Sequence, residues 1–196
     1  MNKATTAHFL LAIAISAGVG IKSAAALEVD SDASSVNLVS TKILADGTSS
    51  VSELFSFNSL AGSVADDGSA TVSVDLGVVQ TGIDIRNERM SEHLFETAKY
   101  PEATITAQVP ESAMSNGISL IDLDVEVDMH GSQVSYTVPV IVTSDDSKIM
   151  VVASQPVLVD AASFQLEGGL GKLGELAGLL HIPATVPVTF TLAFNR

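Results

Sequence analysis

Apolar and polar residues alternate along most of the chain, which is typical of β-strands that bury one face. The clearest case is ISLIDLDVEVDMHG, residues 118–131, where the odd positions from 121 to 129 are apolar and the even positions between them are acidic. The next segment, VSYTVPVIVT at 134–143, repeats the alternation. We predict that these two segments form neighbouring strands joined by a hairpin turn at 130–133.

Six further segments show the same alternation, and short turn signals such as Asp66-Asp67-Gly68 separate them. About eight strands at such short spacing favour an antiparallel barrel or sandwich over a parallel α/β sheet. The sequence therefore predicts an all-β fold of about eight antiparallel strands with one or two short helices. The six segments are 34–44, 50–64, 71–79, 104–109, 148–160 and 186–195.

Two segments interrupt the alternation. In RNERMSEHLFETAKYPEAT, residues 86–104, Ser91 is placed to cap a short helix that carries Leu94 and Phe95 on one side. In LEGGLGKLGELAGLLHIP, residues 166–183, leucines recur at helical spacing. The glycines of this second segment argue against a long rigid helix.

Residues 1–26 have the pattern of a secretory signal peptide. Lys3 supplies the positive start, HFLLAIAISAGVGI at 8–21 supplies the apolar core, and Ala24-Ala25-Ala26 supplies small residues before a cleavage point at Leu27. No later segment is apolar for the length that a transmembrane helix needs. We therefore predict a signal peptide at 1–26 and a single domain at 27–196.

The composition argues against several classes of function. A formal net charge of −14 repels a phosphate backbone, so we expect no nucleic-acid partner. The chain has no cysteine, which excludes disulfides and thiolate chemistry. An exported domain without disulfides suits a bacterial periplasm or outer surface, so we expect the protein to be periplasmic or secreted.

No motif argues for catalysis or for a metal. GLGKLG at 169–174 matches G-x-G-x-x-G, but the parallel βαβ context of a dinucleotide site is missing. His93, His130 and His181 are isolated in sequence, whereas metal sites usually show close pairs. The acidic residues at 122–128 alternate along one strand about 7 Å apart, which predicts a solvated outer face. We expect no enzyme activity, no metal and no cofactor.

The segment 86–104 and its surroundings resemble the signature of the YceI-like family. The early segments at 35–36 and 60–64, the turn at 126–131 and the C-terminal GLGKLGELAGLLHIPATVPVTFTL also resemble that family. The chain departs from the family's usual residues at Asn87, Met90 and Ile105, and it lacks the usual early Trp. At the positions of the family's central pattern, departures included, this chain has Thr81-Gly82, Arg86-Asn87, Met90, Leu94-Phe95, Tyr100-Pro101 and Ile105.

The resemblance implies an exported protein with a lipocalin-like barrel that binds polyisoprenoids or other long-chain lipids. A closed barrel of about eight strands has an interior just wide enough for one slender ligand. We therefore predict a ligand of the polyisoprenoid or isoprenoid-quinone type, held by inward-facing apolar side chains. The predicted ligand-binding residues are Phe55, Phe57, Val72, Val74, Leu94, Phe95, Ile105, Leu123, Val125, Val138 and Phe190.

Arg86 and Arg89 are cations in an acidic chain and are the candidates for contact with a lipid head group. Ion pairing with Glu88 or Glu92 is an equally good interpretation of both. Leu94 and Phe95 are expected either to cover the mouth of the barrel or to pack into its core.

A structural or stress-response barrel with a packed interior and no ligand would show the same alternation, so this alternative stays open. A membrane β-barrel would need aromatic girdles and outward-facing apolar residues. Only 5% of the residues are aromatic and the second faces of the strands are acidic, which disfavours that class. The sequence does not indicate an oligomeric state.

Overall fold

A computed structural model describes residues 27–196, and the predicted signal peptide at 1–26 lies outside the described residues. The helices are α1 (Asp84–Arg89), α2 (Glu111–Met114) and α3 (Glu167–Ala177), and a π-helical turn at Met90–Leu94 follows α1 directly. The strands are β1 (Leu27–Val29), β2 (Ser35–Leu44), β3 (Ser50–Phe57), β4 (Leu60–Val64), β5 (Ser69–Asp75), β6 (Glu102–Gln108), β7 (Gly117–Met129), β8 (Ser132–Ser144), β9 (Lys148–Ala153), β10 (Val157–Asp160), β11 (Leu179–His181) and β12 (Thr185–Asn195).

Eight of the strands form a closed antiparallel barrel in the order β1-β4-β5-β6-β7-β8-β9-β12. The pairing of β1 with β12 closes the ring, with Glu28 opposite Asn195 and Val29 opposite Phe194. Closure pairs the edge strands with each other and removes the exposed edges of an open sheet. The prediction of an all-β barrel of about eight strands with short helices is confirmed.

The remaining four strands extend the wall at one end of the barrel. Strand β2 pairs with β12 and β3, β10 pairs with β12, and β11 pairs with β2. The predicted strand 50–64 is interrupted at 58–59, where β3 ends and β4 has not yet begun. The predicted strand 148–160 is likewise divided, into β9 and β10.

Different segments cover the two ends of the barrel. Helix α2 packs against β7 and β8 at one end, where the Ser144 hydroxyl donates to the carbonyl oxygen of Met114 at 3.2 Å. The π-helical turn packs against both α1 and α3 at the other end, which we call the helical end. The β7–β8 turn lies at the helical end as well, because His130 contacts Glu96, which follows the π-helical turn.

The alternation of the strands separates an apolar interior from a polar surface. Between β5 and β6, Val72 lies opposite Ile105 and Val74 lies opposite Ala103, and all four side chains face inward. On β7 the acidic residues at 122–128 are exposed, as predicted for a solvated outer face. The period of two in the sequence therefore corresponds to the two faces of the barrel wall.

The helix in segment 86–104 differs from the prediction. Helix α1 begins at Asp84, and Ser91 lies within the π-helical turn that continues it, so the assignment of Ser91 as a helix cap is wrong. The Ser91 hydroxyl instead lies 2.5 Å from the Thr97 hydroxyl. The start of α1 is held by Asn87, whose side-chain oxygen accepts hydrogen bonds from the backbone N–H and the hydroxyl of Thr81.

Helix α3 is a regular helix of 11 residues and lies where the leucines recur at helical spacing. It ends at Gly178, whose φ of 64° gives the left-handed conformation common at helix C-termini. Tertiary contact with the π-helical turn, which requires glycine at one position, outweighs the weak helix propensity of this segment. Within the described range 27–196, none of the helices has the length and apolar character needed to span a bilayer.

Candidate ligand cavity and its rim

The barrel encloses a cavity of about 310 Å³. Among the lining side chains in the described range 27–196, only Ser40 and Tyr136 carry a hydroxyl, and none carries a charge. A volume of this size falls at the lower end of the roughly 300–1,000 Å³ of small-molecule sites. The interior is therefore suited to a slender apolar molecule and offers almost nothing to a charged one.

The structure brings all of the predicted ligand-binding side chains together around this cavity. They come from six strands and from the π-helical turn with the residue that follows it, and the strand residues meet because each occupies an inward position. Contact of these side chains with a ligand stays a prediction. The lining residues that were predicted are Phe55, Phe57, Val72, Val74, Leu94, Phe95, Ile105, Leu123, Val125, Val138 and Phe190.

The cavity wall is not uniformly buried. Phe55, Phe57 and Val138 are buried, whereas Leu123 and Phe190 face the same cavity and are only half-buried. Inward apolar side chains that keep part of their exposure leave apolar area available to a ligand. Covering such area contributes about 25 cal/mol per Å².

The helical end provides a cover for the cavity. Leu94 and Phe95 are both buried and both line the cavity. Each side chain therefore packs into the core and also covers the cavity at this end of the barrel. The Phe95 ring meets the Phe57 ring edge to face with 5.9 Å between the ring centroids. Leu166 and Leu170, at the start of α3, complete this side of the lining.

A cluster of charged side chains lies at the rim of the cavity, on the inner face of the β2–β3 hairpin. We call Lys42, Glu53 and Arg86 the rim cluster. The Lys42 Nζ lies 2.8 Å and the Arg86 Nη1 lies 2.7 Å from the same oxygen, Oε2 of Glu53. These side chains are 20–29% exposed, so water screens their charges only in part.

The rim cluster adjoins the cavity through two lining residues. Ser40 lies directly opposite Glu53 in the β2–β3 pair and lines the cavity two residues before Lys42. Phe55 lines the cavity two residues after Glu53, and the Arg86 guanidinium lies over its ring, 4.7 Å from the centroid. The strand period of two thus places Lys42 and Glu53 on the inward face, next to the cavity wall.

Arg86 is held in place by several hydrogen bonds. Its Nε donates to the Thr81 hydroxyl at 3.0 Å, and its Nη2 donates to the Thr81 carbonyl oxygen at 2.8 Å. Its carboxylate partner is Glu53 on β3, and the expected alternative of pairing with Glu88 or Glu92 is wrong because the side chain is directed toward the hairpin.

Arg89 is placed differently from Arg86. Its Nη1 lies 3.4 Å from the carbonyl oxygen of Leu176 near the end of α3, and within residues 27–196 it forms no ion pair with Glu88 or Glu92. It does not line the cavity. Of the two head-group candidates, Arg86 is the one that touches a lining side chain.

Two ionisable groups near the cavity have shifted pKa values. The hydrogen bond from Lys42, assisted by Arg86 and opposed by partial burial, lowers the pKa of Glu53. Burial, with a further contribution from the charge of Asp160, raises the pKa of Tyr136. Glu53 is therefore an anion and Tyr136 is a neutral phenol at neutral pH.

The groups that were considered for other chemistry belong to separate segments of the chain. GLGKLG at 169–174 is part of α3, and His93, His130 and His181 lie on three different segments. In the described part of the chain, no three His, Cys, Asp or Glu side chains are close enough to hold a metal ion.

Several residues of the cavity and its rim were not predicted from the sequence. Ser40 and Lys42 continue the inward positions of Val36 and Leu38 on β2, and Glu53 continues those of Phe55 and Phe57 on β3. This positional signal could have placed Lys42 and Glu53 on the inward face. The contribution of Ala113 and Met114 from α2 had no such signal, because the residues are neither periodic nor part of a strand.

Comparison with known proteins agrees with the barrel and its cavity. A polyisoprenoid-binding domain from Saccharophagus degradans, implicated in plant cell wall breakdown, is 36% identical, with 87% of this chain and 98% of that chain covered and a TM-score of 0.80. BcnA from Burkholderia cenocepacia shares the fold at 21% identity, with 84% of this chain and 98% of that chain covered and a TM-score of 0.64. The YceI protein of Campylobacter jejuni shares it at 11% identity, with 72% and 84% covered and a TM-score of 0.53.

No curated protein matches the sequence at a significant level. The sequence profile of the YceI-like domain matches residues 27–194, which is nearly all of the described barrel. Together with the 36% identity to the Saccharophagus degradans domain, this match shows that the chain belongs to the YceI-like family.

Proposed function

We propose that this protein binds a long-chain lipid of the polyisoprenoid or isoprenoid-quinone type inside its barrel. The observation that carries the proposal is a cavity of about 310 Å³ whose lining side chains are uncharged and almost entirely apolar. Half-buried lining residues such as Leu123 and Phe190 would lose their remaining exposure against a bound chain, and that burial favours binding.

The relative from Saccharophagus degradans, described as a polyisoprenoid-binding domain, supports the same ligand class. We propose binding as the activity of the barrel, without catalysis. The cavity lining offers only the Ser40 and Tyr136 hydroxyls, and a serine nucleophile needs a base within hydrogen-bond reach.

The direct test is extraction of the native protein. Protein purified from the cells that produce it is extracted with organic solvent, and the extract is analysed by mass spectrometry. We expect a long-chain isoprenoid lipid in a reproducible ratio to protein. An extract without lipid, together with no thermal shift on addition of isoprenoids, would favour the packed barrel without a ligand.

A pair of variants on β7 separates binding in the cavity from binding at the surface. Leu123 faces the cavity and is half-buried, whereas Leu120 lies on the outer face and is 70% exposed. Leu123→Trp should fill part of the cavity and abolish lipid binding, while Leu120→Trp should leave it intact. Equal loss of lipid in both variants would contradict binding inside the barrel.

We further propose that the protein is exported to the periplasm or secreted. The proposal is supported by the signal-peptide pattern of residues 1–26. Intact mass measured on the exported protein should correspond to a chain that begins at Leu27. Retention of residues 1–26, or recovery of the protein only from the cytoplasm, would contradict export.

A further inference from the structure

We propose that the rim cluster selects lipids with an anionic head group, a phosphate or a carboxylate, at the end of the chain that occupies the cavity. This inference rests on the proposed lipid-binding function and adds the chemistry of the head group to it. Lys42 and Arg86 supply the binding charges, and the Glu53 carboxylate between them competes with an added anion for both.

The first argument is the charge balance of the rim cluster. Two cations share a single carboxylate oxygen, Oε2 of Glu53, at 2.8 and 2.7 Å. The cluster therefore carries one excess positive charge within a chain whose formal net charge is −14. An added oxyanion would neutralise that excess, and the partial burial of the three side chains strengthens the attraction relative to an exposed site.

The second argument is the supply of hydrogen-bond donors. A lysine ammonium has three donors and an arginine guanidinium has five. Lys42 uses one of its donors on Glu53, and Arg86 uses three on Glu53 and Thr81. The Ser40 hydroxyl forms no hydrogen bond with any residue that the structure describes. Unused donors on three neighbouring residues match the several acceptor oxygens of a phosphate or carboxylate.

The third argument is position. Ser40 and Phe55 belong to the cavity wall, and Lys42 and Glu53 follow them on the same inward face, about 7 Å further along their strands. A chain that fills the cavity would thus bring its polar end to the rim cluster. The other lining hydroxyl, on Tyr136, is a neutral group on β8 and supplies no positive charge.

The test compares three ligands that share one isoprenoid chain and differ only in the head group. Geranylgeraniol, geranylgeranoic acid and geranylgeranyl phosphate are each titrated against the exported protein after its bound lipid has been removed. We expect the acid and the phosphate to bind at least about tenfold more tightly than the alcohol, the effect of one strong charge-assisted contact. The comparison of acid with phosphate identifies which oxyanion fits better.

Three variants assign the selectivity to the cluster. Lys42→Met should weaken binding of the acid and the phosphate more than that of the alcohol, because it removes the excess charge. Glu53→Gln should strengthen binding of both anions, because it removes a competing carboxylate. Lys148→Met is the matched control, since Lys148 forms a similar 2.8 Å ion pair with Asp30 away from the rim cluster, and it should change none of the three affinities.

The outcomes separate this inference from the function on which it rests. Tight binding of all three ligands without preference, or a preference that survives Lys42→Met and is unchanged by Glu53→Gln, would overturn the head-group site and leave lipid binding intact. Failure of all three ligands to bind would overturn both. If Lys42→Met does not fold, the Glu53→Gln variant alone tests the head-group site. Tighter binding of the two anions would support the site, because only an oxyanion site predicts it, and unchanged binding would overturn it.

Discussion

Gly169 of α3 lies directly against the backbone of Leu94 in the π-helical turn. A Cβ atom added at Gly169 would lie 2.7 Å from the Leu94 Cα and 2.5 Å from the His93 carbonyl oxygen. Both are backbone atoms, which cannot rotate aside as a side chain can. Because Leu94 and Leu170 both line the cavity, this contact sets how closely the cover of the helical end fits.

Gly169→Ala should therefore destabilise the protein and loosen the cover. We expect a loss of about 1–3 kcal/mol in the free energy of unfolding, as for other overpacked sites. Gly171→Ala is the control, because nothing lies within 4 Å of the added Cβ and alanine favours the helix by about 0.5–1 kcal/mol. Chemical denaturation of both variants measures the difference, and equal stability would contradict the proposed contact.

Filling the cavity should cost little stability. Val125 lines the cavity and is half-buried, so Val125→Phe should change the free energy of unfolding by less than about 1.5 kcal/mol, the range of tolerated core changes. Val79 is 1% exposed and does not line the cavity, so Val79→Phe should cost about 1–3 kcal/mol. Similar large losses in both variants would indicate a packed interior instead.

His130 joins three segments at the helical end. Its Nδ1 lies 3.1 Å from the Phe164 carbonyl oxygen and its Nε2 lies 2.8 Å from the Glu96 carboxylate. Its ring centroid lies 4.4 Å from that of Tyr100, with the two rings tilted by 50°. Both ring nitrogens face oxygen atoms of other segments, so His130 ties the β7–β8 turn to the segments of Glu96 and Phe164.

His130→Asn should break this connection while keeping a residue that tolerates the φ of 54° at this position. We expect a loss of about 1–3 kcal/mol, together with faster amide exchange in α3. His181→Asn is the control, because His181 is exposed on β11. Unchanged exchange in α3 would show that His130 does not hold the helical end.

Asp46 in the β2–β3 turn should titrate at unusually low pH. The Ser49 hydroxyl and backbone N–H, together with the Thr48 N–H, donate to its carboxylate and lower its pKa to about 2. The ordinary value in an unfolded chain is about 3.9. The stabilising contribution of the carboxylate is therefore complete above about pH 4 and is lost as the pH falls through about 2.

Ser49→Ala should move the Asp46 midpoint upward toward the ordinary value, because it removes the largest cause of the shift. NMR measures the midpoint when the chemical shift of the Asp46 side-chain carboxyl carbon is recorded during an acid titration. Ser52→Ala, which removes a hydroxyl that bonds Thr41 and no carboxylate, should leave the midpoint unchanged. An Asp46 midpoint that is unchanged in Ser49→Ala would contradict this origin of the lowered pKa.

The barrel and the identity of its inward side chains were accessible from the sequence for a simple reason. Each strand of a closed wall buries one face, and a period of two records which face that is. Residues such as Val72 and Leu123 therefore belong to the predicted and the observed lining alike.

The remaining features depend on contacts between distant segments. Lys42 and Glu53 occupy inward positions, but charged residues on a strand look the same whether they face water or the rim of a cavity. Ser91 had the residue type of a helix cap, yet the helix begins earlier because Asn87 and Thr81 hold its start. The close contact of Gly169 in α3 with the π-helical turn joins two segments distant in sequence, and the spacing of apolar residues does not record it.

The seam between β1 and β12 has a consequence for how the protein is made. It joins Glu28 to Asn195 and Val29 to Phe194, residues from opposite ends of the described chain. Pairings of such large sequence separation form slowly, because the intervening chain must be ordered first. The wall cannot close before β12 has been synthesised, so a chain still in translation has no sealed interior. Under the proposed function, lipid content would therefore report a barrel whose wall has closed.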